Sequence, residues 1–275
     1  MSDQALTLDW DINDLPIDHV KGDNALEAVW ELEKAKFDQI ASDGMAKYAA
    51  SIESIGDAFR PIDHTLCCMD ERVEGGVHAA GSLMLVDAKA AQEFVERAGV
   101  TGITSHSGCG AAGLLYKREH PEVSEETLSL ETLDAYARDK ALELAEITGV
   151  PYLGHIPLAK MHGSPDFHGC RAIYYVGIDS FSPHAVPELP IGFVVDRLYH
   201  RTEHALQEVE IAISIVLGHH GFGHRITKEE AIYLIPVAAT AASDQEMDMD
   251  ELKDELSYLI KKYDGKVIID GFCRS

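Results

Sequence analysis

Between the breaker Arg60-Pro61 and His106 the chain alternates a buried-strand pattern with a helical one, and this alternation constrains the fold more than any other feature. The stretch His64-Thr-Leu-Cys-Cys-Met69 is short, apolar and flanked by charge, as a strand covered on both faces requires. Residues 88–98 carry apolar groups at helical spacing and stop at Gly99, and 101–106 reads as strand again. Strand, helix, strand is a parallel crossover unit. The alternation continues, with strands predicted at 150–156, 171–178, 231–238 and 266–269. Helices are predicted over 111–119, 128–147, 197–217 and 248–262. The expected class is α/β, with a mostly parallel central sheet and flanking helices.

Ahead of this lies a different region. Residues 1–22 mix Asp, Pro and Gly with isolated apolar anchors (Leu6, Leu8, Trp10, Leu15, Ile17), the pattern of an extended arm lying on a surface, here or on another subunit. Residues 24–40 and 44–55 repeat apolar groups every three or four positions and predict two amphipathic helices. The chain is read as an N-terminal arm and helices (1–60) joined to one α/β metal-binding catalytic domain (61–275), with no internal repeat and no low-complexity tract.

Charge removes two classes of partner. With Lys+Arg 23 against Asp+Glu 47 the net charge is −24, so nucleic-acid phosphates and anionic membrane surfaces are repelled. The longest nearly apolar runs fall short of the roughly 20 residues a spanning helix needs, and the acidic N-terminus lacks the pattern of a secretory signal. Five cysteines, an odd number scattered along the chain, do not form a disulfide framework. They suit a reducing cytoplasm, where thiolates act as ligands or nucleophiles.

Two segments concentrate the chemistry. In Cys68-Met-Asp70-Glu-Arg72, at the end of the first buried strand, side chains two apart share a face, so Cys68, Asp70 and Arg72 point one way and Cys67 the other. In His106-Ser-Gly-Cys109-Gly110 the glycines permit a sharp turn, and Cys109 stands at a helix N-terminus, where the dipole favours thiolate. Neighbouring parallel strands deliver both segments to the crevice at their carboxyl ends. Two sulfurs and one imidazole nitrogen suit Zn²⁺, and three protein ligands leave a position for water, whose pKa such a metal lowers to about 7. Asp70, held by Arg72, is placed either to orient the resulting hydroxide or to take the fourth position itself.

Together, Cys-x-Asp-x-Arg (Cys68, Asp70, Arg72) and His-x-x-Cys-Gly (His106, Cys109, Gly110) resemble the zinc site of beta-class carbonic anhydrases; the cadmium-tolerant zeta class uses a similar set. Ala79-Ala-Gly81-Ser82 is similar to the small-residue stretch that lines the site in that family. The resemblance covers residues 60–120. It implies Zn²⁺, one per chain, replaceable by Cd²⁺ or Co²⁺, on Cys68, His106 and Cys109, with Asp70 and Arg72 catalytic. It also implies carbon dioxide and bicarbonate as substrates, N-terminal helices packed across a dimer, and a homodimer or larger homo-oligomer. Related enzymes with these ligands hydrolyse carbonyl sulfide or carbon disulfide, and a non-catalytic zinc protein is the third alternative. The 38 positions from Cys68 to His106 are fewer than is usual in the class and imply a strand or loop lost between Arg72 and Gly75.

Other candidates are read more plainly. His78, between the motifs, is a proton-shuttle candidate or a solvent-facing loop residue. His219-His220-Gly-Phe-Gly-His224 reads as a helix cap followed by a glycine loop. Cys170, two positions after His168, is assigned to the core, and the acidic run 244–255 to the start of a solvated helix, because Met249 occupies the position where a calcium loop needs Gly.

Overall fold

The computed structural model describes residues 23–123, 128–218, 221–240 and 246–274; the arm at 1–22 and the pair His219-His220 lie outside them. Two helices open the described chain, α1 (Asp23–Asp43) and α2 (Met45–Ser51). A first group follows: β1 (Thr65–Cys68), β2 (Val77–Ala79), α3 (Ala88–Ala98), β3 (Gly102–His106), α4 (Gly110–Glu119), α5 (Leu130–Thr148) and β4 (Tyr152–Ile156). The second group is β5 (Ala172–Val176), β6 (Gly192–Val195), α6 (Thr202–Leu217), β7 (Ile232–Ala239), α7 (Met249–Lys262), β8 (Val267–Ile269) and β9 (Phe272–Arg274). The α/β class is as expected, and every strand pairing is parallel.

The single central sheet is corrected to two. One has the order β2-β1-β3-β4, the other β6-β5-β7-β8, with β9 also against β7. Numbered within each group, both follow the order 2-1-3-4, with one helix between the second and third strands and, between the third and fourth, two helices in the first group and one in the second. The chain therefore contains a repeat of topology. No sequence repeat marks it, because a buried parallel strand demands only apolar residues of suitable shape. The two sheets meet edge to edge. Val194 N–H donates to the Met69 carbonyl (3.1 Å), Asp196 N–H to the His78 carbonyl (3.4 Å), and the Asp196 carboxylate accepts the His78 N–H (2.5 Å).

Period-2 alternation decides what covers each face. Ala172, Tyr174 and Val176 of β5, with Tyr233, Ile235 and Val237 of β7, pack with Phe37, Ile40, Met45 and Tyr48 of α1 and α2. Ile173 and Tyr175 turn the other way, into the core that holds Val209 and Ala212 of α6 and Leu252 and Leu256 of α7. The opening helices thus cover the second sheet, about 130 residues downstream in sequence. The packing that the resemblance assigns across a dimer is made within one chain.

β2, β6 and β9 are not among the strands the sequence predicts. β2 and β6 are short, and His78 inside β2, with Pro190 just before β6 and Gly192 at its start, breaks the apolar run by which a short strand is recognised. β2 also bears on the segment expected to be lost: Gly75 and Gly76 turn the chain from Arg72 directly into a strand beside β1. Gly76 has φ +80°, and a Cβ there would lie 2.1 Å from the Thr65 carbonyl oxygen, so only glycine fits.

Candidate metal centre

β1 and β3 lie side by side and end at Cys68 and His106, so the two motif segments leave the first sheet at adjacent points. Gly108, at φ +66°, folds the turn after β3 and brings Cys109 to the N-cap of α4. One ligand atom each from Cys68, His106 and Cys109 then lies within 4.8 Å of the others, and all three residues are buried. One four-coordinate cation, with ligand bonds of about 2.0–2.3 Å, closes such a span.

The imidazole shows that the donors suit a cation. His106 Nδ1 donates to the Ser107 carbonyl (2.9 Å), which turns Nε2 inward. That nitrogen is buried, has no hydrogen-bond partner, and is 4.0 Å from Asp70 Oδ2. A buried ring nitrogen left without a partner is costly, with or without its proton, unless something binds it. The sulfurs complete the set. In the chain's own field the pair shares a proton unequally: the contact between them, with burial, pushes the Cys68 thiol up, while the same contact and the Ala112 and Ala111 N–H groups of α4 pull Cys109 down against burial. Burial alone would lower His106, but its contact with the Cys68 sulfur, with the Asp70 carboxylate behind, raises it to about 9. A cation replaces the protons these groups hold among themselves.

One further contact shapes the Cys68 sulfur, and a second holds the turn that makes it. Gly81 N–H donates to Sγ at 3.3 Å, from a turn in which Ser82 (φ 54°) and Leu83 (φ 72°) are held in the left-handed region. A Cβ on Gly81 would meet Met84 at 2.6 Å and Ala111 at 2.8 Å, so the backbone approaches the sulfur because position 81 has no side chain. Glu208, from α6 of the second group, accepts the neighbouring Ala80 N–H at 2.8 Å. Strain of this kind, about 1–3 kcal/mol per residue, persists where the surroundings hold it.

Asp70 and Arg72 form a buried two-pronged pair: Nε to Oδ1 at 2.9 Å and Nη2 to Oδ2 at 2.7 Å. Oδ1 also accepts the Arg72 backbone N–H (3.0 Å). Burial works against ionisation, yet the guanidinium holds the Asp70 carboxyl well below the usual range. Both Asp70 oxygens face Arg72, and Oδ2 also stands 4.0 Å from His106 Nε2.

Other residues fall as follows. Cys67 points away, its sulfur accepting from Thr104 Oγ1 (3.4 Å), and burial raises its thiol to about 11. Cys170 is fully buried and Cys273 exposed, as free thiols. His78 is corrected: it lies buried on β2, its Nδ1 3.2 Å from the Cys68 carbonyl oxygen, and burial drives it down to about 3. A neutral, enclosed ring of this kind is no solvent-facing shuttle. His224 pairs with Glu27 at 3.6 Å.

His168 has a partner that its sequence neighbours do not supply. Its Nδ1 meets both oxygens of buried Glu71 (3.1 and 2.9 Å), and Asp70, Glu71 and His168 form a second close group able to hold a metal. The link from β4 to β5 lies over this loop, with Arg72 Nη1 donating to the Ser164 carbonyl (3.3 Å) and His162 N–H to the Arg72 carbonyl (2.9 Å). Long-range packing brought these groups together, and only the His168-x-Cys170 spacing hinted at them.

In the second sheet, β5 and β7 end in Val176 and Ala239 where β1 and β3 end in Cys68 and His106, so the repeated topology does not repeat the donors. No helix among the described residues is long and apolar enough to cross a membrane. Comparison with known proteins gives no relative: no family model, curated protein or solved structure matches the chain.

Proposed function

We propose that this chain is a zinc-dependent carbonic anhydrase that hydrates carbon dioxide reversibly to bicarbonate. The observation that carries the reading is the meeting of Cys68, His106 and Cys109, with a buried, unpartnered imidazole nitrogen among them and the Asp70–Arg72 pair alongside. When bound, the cation supplies Lewis acidity that ionises water near neutral pH. The rest is work for the chain. Asp70 stays an anion because Arg72 neutralises it, so an oxygen lone pair is available to accept a hydrogen bond from the attacking water and aim it. The water oxygen bonds to the carbon of CO₂, one C=O electron pair moves onto oxygen, and a proton leaves for the bulk. Gly81 N–H and the N-terminus of α4 steady the two sulfurs while this happens.

The test is metal content measured beside CO₂ hydration and H₂S release from carbonyl sulfide. The expected outcome is about one zinc per chain with hydration, and loss of both metal and activity in Cys109→Ser, as a three-ligand site requires. An active, metal-free wild-type protein would overturn the reading. H₂S release without CO₂ hydration would transfer the same site to carbonyl sulfide or carbon disulfide. Stoichiometric zinc with neither activity would leave a metal-binding protein.

A further inference from the structure

Outside the donor set, one polar network bears directly on the turn that carries two of the three donors. Ser107 Oγ donates to Asp134 Oδ2 of α5 at 2.6 Å, and Gly108 N–H donates to Asp134 Oδ1 at 3.0 Å. His155 of β4 stands behind: its Nε2 is 3.2 Å from Ser107 Oγ, its Nδ1 is 2.8 Å from Ser105 Oγ, and Ser105 Oγ is 2.8 Å from the Tyr152 hydroxyl. Burial keeps His155 below its ordinary value against the pull of Asp134, so the ring is neutral, with one donor and one acceptor.

One assignment of protons satisfies every member. The Ser107 hydroxyl must donate to the carboxylate, which leaves its oxygen to accept from His155 Nε2–H. His155 Nδ1 then accepts from Ser105, whose oxygen accepts from Tyr152. The chain of donors runs in one direction, from Tyr152 through Ser105, His155 and Ser107, and ends on the Asp134 charge. Such chains strengthen one another along their length.

We infer that Asp134 is a positioning residue for the metal centre, acting through Ser107 and Gly108 to fix the turn between His106 and Cys109. This rests on the metal-binding part of the proposed function and on nothing about the substrate. Ser107 is the pivot. Its hydroxyl is drawn to Asp134, its N–H bonds the Ile156 carbonyl (2.9 Å), and its own carbonyl accepts His106 Nδ1–H. Anchoring this one residue sets the imidazole so that Nε2 faces the sulfurs. The second bond from Asp134, to the N–H of Gly108, holds the left-handed residue that delivers Cys109 to the α4 N-cap.

The experiment is zinc affinity by chelator competition on the full chain, for wild type, Asp134→Ala, Asp134→Asn and Ser107→Ala, with the melting temperature of each metal-free protein. Cobalt(II)-loaded samples report ligand geometry through their thiolate charge-transfer and ligand-field absorption. Asp134→Ala is expected to weaken zinc about 10–100-fold and to alter the cobalt spectrum. Asp134→Asn, which keeps an acceptor for Gly108, should recover most of both, and Ser107→Ala should fall between. Should Asp134→Ala not fold, the Asn and Ser107 variants decide alone. Wild-type affinity and spectrum in every folded variant, with only the metal-free melting temperature lowered, would make the network a structural prop and overturn the inference. A wild-type chain that binds no zinc would overturn the metal reading itself.

Discussion

Removing Arg72 leaves the buried Asp70 carboxylate without its counter-ion. Its guanidinium is buried, spans both oxygens of Asp70 and also reaches the Ser164 carbonyl, so Arg72→Ala strands a carboxylate inside the protein. Breaking one side of a buried pair costs about 3–5 kcal/mol, and denaturant unfolding of Arg72→Ala should show a loss of that order. The double variant Asp70→Ala/Arg72→Ala should be more stable than the single one, because the stranded charge is gone. A single variant as stable as wild type would mean that the pair is not buried as described. The motif spacing marked Cys68, Asp70 and Arg72, but the strand period does not join them: β1 ends at Cys68, and Asp70 to Val73 form a turn in which Val73 N–H donates to the Asp70 carbonyl (2.9 Å). The partners Glu71–His168 and Asp134–Ser107 were not legible, because they join positions 97 and 27 residues apart through the packing of different elements.

At the level of elements, β2 and β6 decide the architecture, and they were the least visible in sequence. Long helices such as α3 and α7 were read to within a residue, since their apolar stripes span several turns. Broken by His78 in β2 and by Pro190 and Gly192 at β6, these edges lack the apolar run that marks the equally short β1 and β8, and the junction they form depends on side chains. Asp196 is one of these. Burial, opposed by the His78 N–H, raises its carboxyl to about 7, well above the ordinary 3.8. The folded chain therefore holds this proton more tightly than the unfolded one. The stability so gained is complete below about pH 4, declines as pH rises and is lost once pH passes 7. Asp196→Asn should lack that decline and exceed wild type above pH 7 by at most about 4 kcal/mol. Urea unfolding of both proteins at pH 5 and pH 8 tests this, and a stability difference that stays constant between the two pH values would refute it.

The whole molecule carries −24 charges, which repel one another across a single compact surface. Screening relieves that repulsion, so the melting temperature should rise as sodium chloride is raised from a few millimolar to several hundred. A flat or falling response would show that local ion pairs outweigh the overall field. This feature and the α/β class were both plain in the amino-acid order. The doubling of the sheet was not, because the two groups share a path through space and no residues in common at their strand ends.

One stretch of chain ties these levels together. Residues 157–171 are at once the covalent hinge pin between the sheets and the strap seated on the Arg72 loop, through Ser164, His162 and His168. Neither sheet can drift from the other without tugging on the ground beside the donors. Warming the zinc-loaded protein should therefore discharge the ion and dissolve the tertiary structure in one step, seen together by a zinc-sensitive dye and near-ultraviolet circular dichroism. Ion loss well ahead of melting would show the strap to be slack.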